Sequence, residues 1–236
     1  MLQTKEIIVI GGGYSIKNAP QEALGSLLLT KCSIACNYAC LNFKTTFTTF
    51  IDREFYYPSP DNVLNKSYPD ISTKLKELSL IIGIDFQNYL TTNKLLIPNT
   101  LVVKGGEKFN REHSKDLGFF PLILTGLFSV YLAAWLLNYD GIIMLLGFDW
   151  TKRTKDTHYY DLQHRGVGKT NFYEVHNSYN YFKYLINEPK LKIYNVNLDS
   201  NIHCFQKITY QQMFTLLNSE IVNQDLLRLE IKQILN

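Results

Sequence analysis

The feature that most constrains the fold is a short apolar run, EIIVI at residues 6–10, that ends in Gly11, Gly12 and Gly13. A continuous, β-branched run of this length predicts a strand that is buried on both faces, as in a parallel sheet. Glycines after such a strand permit a tight turn and a close approach of the backbone to a ligand. We therefore expect Gly11 to Ser15 to contact a nucleotide or phosphate, with a plain tight turn as the alternative. Ile16 excludes the dinucleotide fingerprint, which needs glycine at that position.

The rest of the chain repeats the order of strand, turn and helix. Further strands are predicted at residues 31–36, 46–51, 101–103, 142–146 and 192–196, and residues 71–82 look helical at first and then apolar. Helices are predicted from Pro20 and over residues 125–139, 177–187, 209–217 and 224–235, with Ser178 as a candidate cap. This pattern predicts an α/β, Rossmann-like, mostly parallel sheet with helices on both faces, in a single domain over residues 1–236.

Residues 151–174 are polar, basic and without a hydrophobic period, so they predict a mobile polar lid inserted into that domain. Within this segment, Gly166 to Thr170 (GVGKT) superficially matches a phosphate-binding loop. Gln163 stands where that loop needs its first glycine, and no strand precedes it, so we reject this interpretation. Arg165 and Lys169 remain candidates for binding a diphosphate, with a solvated basic loop as the alternative.

Composition narrows the class of protein. The 236 residues are 46% hydrophobic and 19% charged with a net charge of +3, which is typical of a soluble globular protein and does not by itself indicate a nucleic-acid binder.

The four cysteines lack the closely spaced pairs of a zinc site, so they predict free thiols and no metal. No signal peptide is visible, and the apolar stretch 119–137 is interrupted by Pro121 and Gly126. We therefore expect a buried helix there, no membrane span, and a cytoplasmic protein whose homo-oligomerisation stays open.

Polar residues follow several of the predicted strands, where parallel sheets bind ligands. They are expected to converge on one edge of the sheet, although capping of turns and helices would also explain them: Asn37, Asp52, Asp149, and Asp199 with Ser200. His176, before a predicted helix, and His164, in the lid, are candidate general bases because imidazole titrates near neutral pH. A structural or surface role is the alternative for either histidine.

Several of these motifs are shared with a known family. Ile8 to Lys17 (IVIGGGYSIK) is similar to the opening strand and glycine turn of the bacterial sialyltransferases of glycosyltransferase family forty-two, with Gly12 in place of an asparagine and Tyr14 in place of a proline. Cys36-Asn37, Asp52, the helix beginning at Thr125-Gly126, and the turn LGFD at residues 146–149 resemble later motifs of that family. The hydroxymethylpterin pyrophosphokinase-like proteins are wider relatives that share both turns, and residues 164–178 and 193–208 resemble uncharacterised tailed-phage proteins.

The resemblance implies a metal-independent glycosyltransferase that uses a nucleotide-activated sugar as substrate and needs no cofactor. Gly126 would lie at the donor phosphate or sugar, His176 would be the general base with His164 second, and Arg165 and Lys169 would bind the departing phosphate. The residues expected to bind the donor nucleotide are Gly11, Gly12, Gly13, Tyr14, Ser15, Asn37, Asp52 and Asp149. The acceptor hydroxyl would belong to a glycan, a modified base or a metabolite.

Two alternatives stay open. One is a pterin-type pyrophosphokinase, which would need Mg²⁺ held by carboxylates such as Asp52 and Asp149. The other is a non-catalytic phage accessory protein that binds a nucleotide or a host partner. The phage likeness implies a viral protein that acts in the cytoplasm of a host cell.

Overall fold

The computed structural model describes residues 2–51, 71–85, 89–94, 97–106, 120–121, 124–150 and 175–236. Within these residues eight strands form one sheet in which every pair of neighbours is parallel. The strands are β1 (Glu6–Ile10), β2 (Cys32–Cys36), β3 (Phe47–Phe50), β4 (Ile81–Gly83), β5 (Thr100–Val102), β8 (Gly141–Leu146), β9 (Leu191–Asn195) and β10 (Gln206–Lys207). A separate parallel pair joins β6 (Gly105–Gly106) to β7 (Phe120–Pro121). The predicted parallel α/β sheet is thus confirmed.

Helices cover both faces of the sheet. They are α1 (Gln21–Thr30), α2 (Ile71–Lys76), α3 (Tyr89–Thr92), α4 (Thr125–Leu136), α5 (Val175–Ile186), α6 (Tyr210–Leu216) and α7 (Gln224–Leu235). One apolar cluster contains residues of α4, α5 and α7, and a second contains residues of α1 and α6. Burial of apolar surface in these two clusters is the main stabilising contribution to such a layered fold. In the described part of the chain, no helix is both long enough and apolar enough to cross a bilayer.

Helix α4 is apolar around its whole circumference, which explains why it is buried. Ten of its twelve residues are buried, and even the polar Ser129 is 0% exposed. A helix without a polar face is expected in the core of a protein rather than on its surface. The buried helix predicted from the interrupted apolar stretch is therefore confirmed.

One local prediction needs correction. Ser178 does not cap α5, because the helix begins at Val175 and Ser178 lies inside it, 0% exposed. The segment 71–82 is helical at first, as predicted, and its apolar end leads into a strand that was not predicted, Ile81–Gly83, which pairs with β3. A three-residue strand directly after a helix offers too short a pattern for its period to be recognised.

The amino-terminal edge of the sheet is held by a buried ion pair. The Lys31 ammonium lies 3.0 Å from the Glu6 carboxylate, and both side chains are about one-twentieth exposed. The same ammonium donates to the carbonyls of Asn218 and Glu220, while the Asn218 amide donates to Glu6. These bonds compensate the buried charges and join the C-terminal segment to the sheet.

The opposite, carboxyl-terminal edge contains the switch point of the sheet. From β1 the chain builds outward through β2 to β5, and it then returns to place β8 on the other side of β1. In open α/β sheets, ligands bind where the strand order reverses in this way, which here is between β1 and β8. Helices α4 and α5 precede the parallel strands β8 and β9, so both helices begin at this edge.

Candidate functional site at the carboxyl edge

The turns that follow β1 and β8 are packed directly against each other. The amide of Gly11 donates to Leu146 O at 2.8 Å, and the amide of Gly13 donates to Gly147 O at 2.7 Å. A Cβ atom at Gly11 would lie 2.6 Å from Gly147 O, and one at Gly13 would lie 2.5 Å from the same oxygen. Gly11 and Gly13 are therefore required by the contact between the two turns. Their contact with a nucleotide stays a prediction.

Asp149 joins the two turns through its carboxylate. Its Oδ2 accepts a hydrogen bond from the Ser15 amide at 2.9 Å, and its Oδ1 accepts from the Ser15 hydroxyl and from Asn197 Nδ2. The residue is only 8% exposed. Hydrogen bonds to a buried carboxylate are among the stronger ones in proteins, so this group fixes the position of the first turn. Both oxygens are engaged within the protein, although the sequence predicts Asp149 as a donor-binding group.

The segment after β9 supports the second turn from the other side. Ser200 Oγ donates to Phe148 O at 2.7 Å, and Asn195 Nδ2 donates to the same oxygen at 3.0 Å. The amide of Asn201 donates to Asp149 O at 2.9 Å. The polar residues predicted near this strand end thus come together as expected, but Ser200 binds backbone and is almost fully buried, while Asp199 is exposed.

The start of helix α4 lies beside this pair of turns. A Cβ atom at Gly126 would be 3.1 Å from the Phe148 ring, and one at Gly11 would also be 3.1 Å from that ring. The first main-chain bond of the helix runs from the Phe128 amide to Leu124 O, so the amides before Phe128 have no partner within the helix. The N-cap residue, Leu124, has a side chain that cannot accept a hydrogen bond, and the first turn contains no acidic residue.

Thr125, the first residue of α4, contributes a buried hydroxyl to this site. The residue is 6% exposed, and its Oγ1 has no hydrogen-bond partner in the part of the chain that the structure describes. One turn further along, Ser129 Oγ donates to Thr125 O at 2.7 Å and also contacts Thr49 Oγ1 and Cys36 Sγ. The hydroxyls of Ser129 and Thr49 thus have partners within the protein. The hydroxyl of Thr125, at the start of the helix, has none among the described residues. Buried polar groups without a protein partner are uncommon and mark positions where a ligand or water completes the bonding.

Two predicted nucleotide-binding residues border the same edge. Asn37 directly follows β2 and has a left-handed backbone (φ 48°), which asparagine tolerates better than most residues. Tyr14 is 46% exposed, and the Lys17 ammonium lies 4.5 Å from the centre of its ring. Tyr14 is therefore accessible to a ligand. An exposed aromatic ring can stack on a planar group such as a nucleotide base, and its contact with a nucleotide stays a prediction.

The remaining predicted residues are less fully described. His176 lies in the first turn of α5, which begins at the carboxyl edge, but the structure does not describe its side chain. Asp52, His164, Arg165 and Lys169 lie outside the described residues, as does the predicted lid at 151–174. Their roles stay predictions.

Tyr210 belongs to this edge and was not predicted from the sequence. It begins α6, three residues beyond β10, and its hydroxyl is buried near Asp149. Burial, together with the negative charge of Asp149, raises the pKa of the Tyr210 phenol. The only sequence signal would have been its place just after a strand, and that strand has two residues.

The two buried cysteines, Cys32 and Cys36, have little reactive thiolate in this fold. In the described residues Cys32, Cys36, Cys40 and Cys204 are free thiols, and the first two are buried. Burial raises the pKa of Cys32 and Cys36 to about 12, so neither supplies a thiolate at neutral pH.

A comparison with protein-family models gives no match to this chain, and a comparison with curated proteins gives none either. Function is therefore inferred from the site itself. In the part of the chain that the structure describes, the site combines a helix start without an acidic residue, a hydroxyl without a partner, and two turns bonded to each other at a switch point. Such an arrangement can bind a phosphate group and orient what is attached to it.

Proposed function

We propose that this protein is a nucleotide-dependent transferase, and specifically a glycosyltransferase that uses a nucleotide-activated sugar. The observation that supports it best is the start of α4, where the buried Thr125 hydroxyl lacks a partner among the described residues beside the switch point of a parallel sheet. Switch points of such sheets are the usual position of nucleotide ligands. The resemblance of the glycine turn and the LGFD turn to the family-forty-two glycosyltransferases supports the narrower assignment.

The start of α4 suits a phosphate group. Main-chain amides that precede the first helical bond point out of the helix, and the helix dipole adds partial positive charge there. The absence of an acidic residue from the first turn leaves this charge uncompensated. Thr125 Oγ1 can donate one more hydrogen bond to a phosphate oxygen, and Gly126 presents no side chain to block its approach.

In the proposed reaction the acceptor hydroxyl attacks the anomeric carbon of the donor sugar. The bond from that carbon to the phosphate oxygen breaks, its electron pair stays with the nucleotide, and the hydroxyl proton passes to the general base, His176. Groups at the start of α4 stabilise the charge that develops on the departing phosphate, assisted by Arg165 and Lys169. A neutral imidazole is needed for this role, so activity is expected to fall as His176 becomes protonated at acidic pH.

The pyrophosphokinase alternative is less well supported by the geometry. It would hold Mg²⁺ with carboxylates such as Asp52 and Asp149, and Asp52 lies outside the described residues. Here Asp149 accepts bonds from Ser15 and Asn197 on both oxygens. These three bonds give Asp149 a structural role and leave its carboxylate fewer acceptor positions for a metal ion.

Ligand-induced stabilisation tests the proposal directly. The melting temperature of the protein would be measured with CMP, UDP, GDP, AMP and ATP, each with and without Mg²⁺. A ligand that binds only the folded state raises the melting temperature, so a rise with a nucleoside mono- or diphosphate in the absence of metal is the expected result. A rise only with ATP and Mg²⁺ would favour the pyrophosphokinase. No rise with any nucleotide would contradict both enzymes and favour an accessory protein.

The role of His176 is tested by the release of nucleotide from the donor. His176→Ala is expected to abolish this turnover while the affinity for the nucleotide stays unchanged. His203→Ala is the matched control, because His203 is an exposed histidine elsewhere in the described chain and should keep full activity. Unchanged turnover in His176→Ala would assign the base to another residue, with His164 tested next.

A further inference from the structure

Tyr210 has a hydroxyl that the protein itself does not use. The oxygen is buried, and within the described residues it has no hydrogen-bond partner. The ring is partly exposed and packs against the apolar cluster that contains α1 and α6. Because β10 is parallel to β9, the position just beyond β10 places Tyr210 at the same carboxyl edge as Asp149 and Asn197.

The hydroxyl is near Asp149, but that carboxylate is already occupied. Ser15 and Asn197 donate to its two oxygens, and no bond from Tyr210 is formed. Burial and the charge of Asp149 keep the phenol protonated, since both raise the pKa of Tyr210. The phenol proton is therefore available to an acceptor that comes from outside the described residues.

We infer that Tyr210 is a ligand-binding residue whose hydroxyl bonds a hydroxyl-bearing part of the donor, either its ribose or the transferred sugar. The inference rests on the proposed function. The charges at this edge support the assignment. The negative carboxylate of Asp149 near Tyr210 disfavours a phosphate there. The start of α4, whose first turn contains no acidic residue, attracts one. The two positions thus divide the ligand into a phosphate end and a neutral, hydroxyl-rich end.

Tyr131 is a tyrosine with a structural role, and it serves as the comparison for Tyr210. The Tyr131 hydroxyl donates to the carbonyl of Tyr181 at 2.8 Å and links α4 to α5. Removal of a satisfied hydroxyl leaves its partner without a bond and lowers stability, whereas removal of an unsatisfied one is neutral or stabilising. Tyr210→Phe is therefore expected to keep or raise the melting temperature, and Tyr131→Phe is expected to lower it.

The test combines this stability measurement with binding. Affinities of the wild type, Tyr210→Phe and Tyr131→Phe would be measured by calorimetry for CMP, UDP, cytidine, uridine, CMP- and UDP-sugars, and inorganic pyrophosphate. We expect Tyr210→Phe to weaken binding of the hydroxyl-bearing ligand at least about fivefold, the loss of one hydrogen bond, and to leave pyrophosphate binding unchanged. A loss already present with the nucleosides assigns the ribose, and a loss confined to nucleotide-sugars assigns the transferred sugar.

Three results would overturn the inference. Tyr210→Phe could bind every ligand as the wild type does, it could lose affinity for pyrophosphate equally, or it could be destabilised as much as Tyr131→Phe. In each case the proposed function would survive, provided that the wild type binds a nucleotide. A wild-type protein that binds none of the nucleotides would instead contradict the proposed function, and this inference with it.

Discussion

The carboxylate of Asp149 accepts a hydrogen bond from the main-chain amide of Ser15 at 2.9 Å and a second from the Ser15 hydroxyl, across 134 residues of sequence. This pair of bonds joins the turn after β1 to the turn after β8 at the switch point of the sheet. These bonds fix the first turn through contacts within the protein. A site whose backbone is fixed in advance binds its ligand without the entropic cost of ordering that backbone.

Asp149→Asn tests this link. An amide keeps the shape but replaces one acceptor oxygen with a donor that faces the Ser15 amide or hydroxyl. We expect the free energy of unfolding to fall by about 1.5–3 kcal/mol, the typical contribution of hydrogen bonds to a charged group. Urea denaturation measures the change. Asp140→Asn is the control, because the side chains of Asp140 and of its partner Lys5 are each about half exposed, and it should leave the denaturation midpoint nearly unchanged. Equal midpoints for both variants would contradict the role of Asp149.

Gly13→Ala tests the contact between the two turns. The added Cβ would lie 2.5 Å from Gly147 O and 2.6 Å from Asp149 Cγ, so the turns must separate. A loss of about 1–3 kcal/mol is expected from this overpacking, together with weaker nucleotide binding. Gly25→Ala is the matched control: it lies in α1 with nothing within 4 Å of its Cβ position, and alanine should stabilise the helix by about 0.4–1 kcal/mol. Thermal denaturation of the two variants should therefore shift in opposite directions. A shift of the same sign in both would contradict the packing argument.

Lys31→Met tests the buried ion pair at the other edge of the sheet. The substitution leaves Glu6 charged and almost fully buried, which is expected to cost about 3–5 kcal/mol. The double variant Lys31→Met with Glu6→Gln should recover part of this loss, because the uncompensated charge is removed. Urea denaturation of the single and double variants measures the difference. Nucleotide affinity should not change in the folded fraction, since this pair lies at the amino edge. If the single variant were as stable as the wild type, the pair would have no structural role.

The buried thiols predict how stability depends on alkaline pH. Burial raises the pKa of Cys32, Cys36 and Cys40 from an ordinary value of 9.0 to about 12 in the folded state. Between these values the unfolded chain releases protons that the folded chain retains, so the free energy of unfolding decreases as pH rises. Urea midpoints at about pH 8 and about pH 10 should therefore differ, with a smaller difference in Cys36→Ala. A thiol-reactive dye should label Cys32 and Cys36 in urea but not in the folded protein, where both are buried. Rapid labelling of these two thiols in the folded protein would contradict the prediction.

The sequence was informative where a pattern was long or strongly punctuated. The run EIIVI followed by glycines predicted β1 correctly, and residues 224–235 matched α7 in full. The short strand β4 was missed because three residues carry no recognisable period. Likewise, Ser178 was assigned as a cap because the polar residues before it concealed a helix that begins at Val175.

The arrangement of polar residues at the carboxyl edge was predictable only in part. The sequence placed polar residues at several strand ends, and the structure brings Ser15, Asp149 and the segment after β9 together. It could not indicate that Gly11 and Gly13 contact Gly147, because that contact joins distant parts of the chain. For the same reason the unsatisfied hydroxyls of Thr125 and Tyr210 could be found only once their surroundings were known.

The central claim is that the start of α4 binds the phosphate of a nucleotide. Its most direct test is the ratio of affinities for CMP over cytidine, and for UDP over uridine, in the wild type and in Thr125→Val. Valine keeps the shape of the side chain and removes only the hydroxyl. The control is Thr46→Val at the amino edge, where the hydroxyl accepts from the Ser33 amide at 2.9 Å and its loss should lower stability alone. We predict that Thr125→Val lowers the ratio at least about fivefold without loss of stability, while Thr46→Val leaves the ratio unchanged. An unchanged ratio in Thr125→Val, or a wild type that binds nucleoside as tightly as nucleotide, would contradict the account.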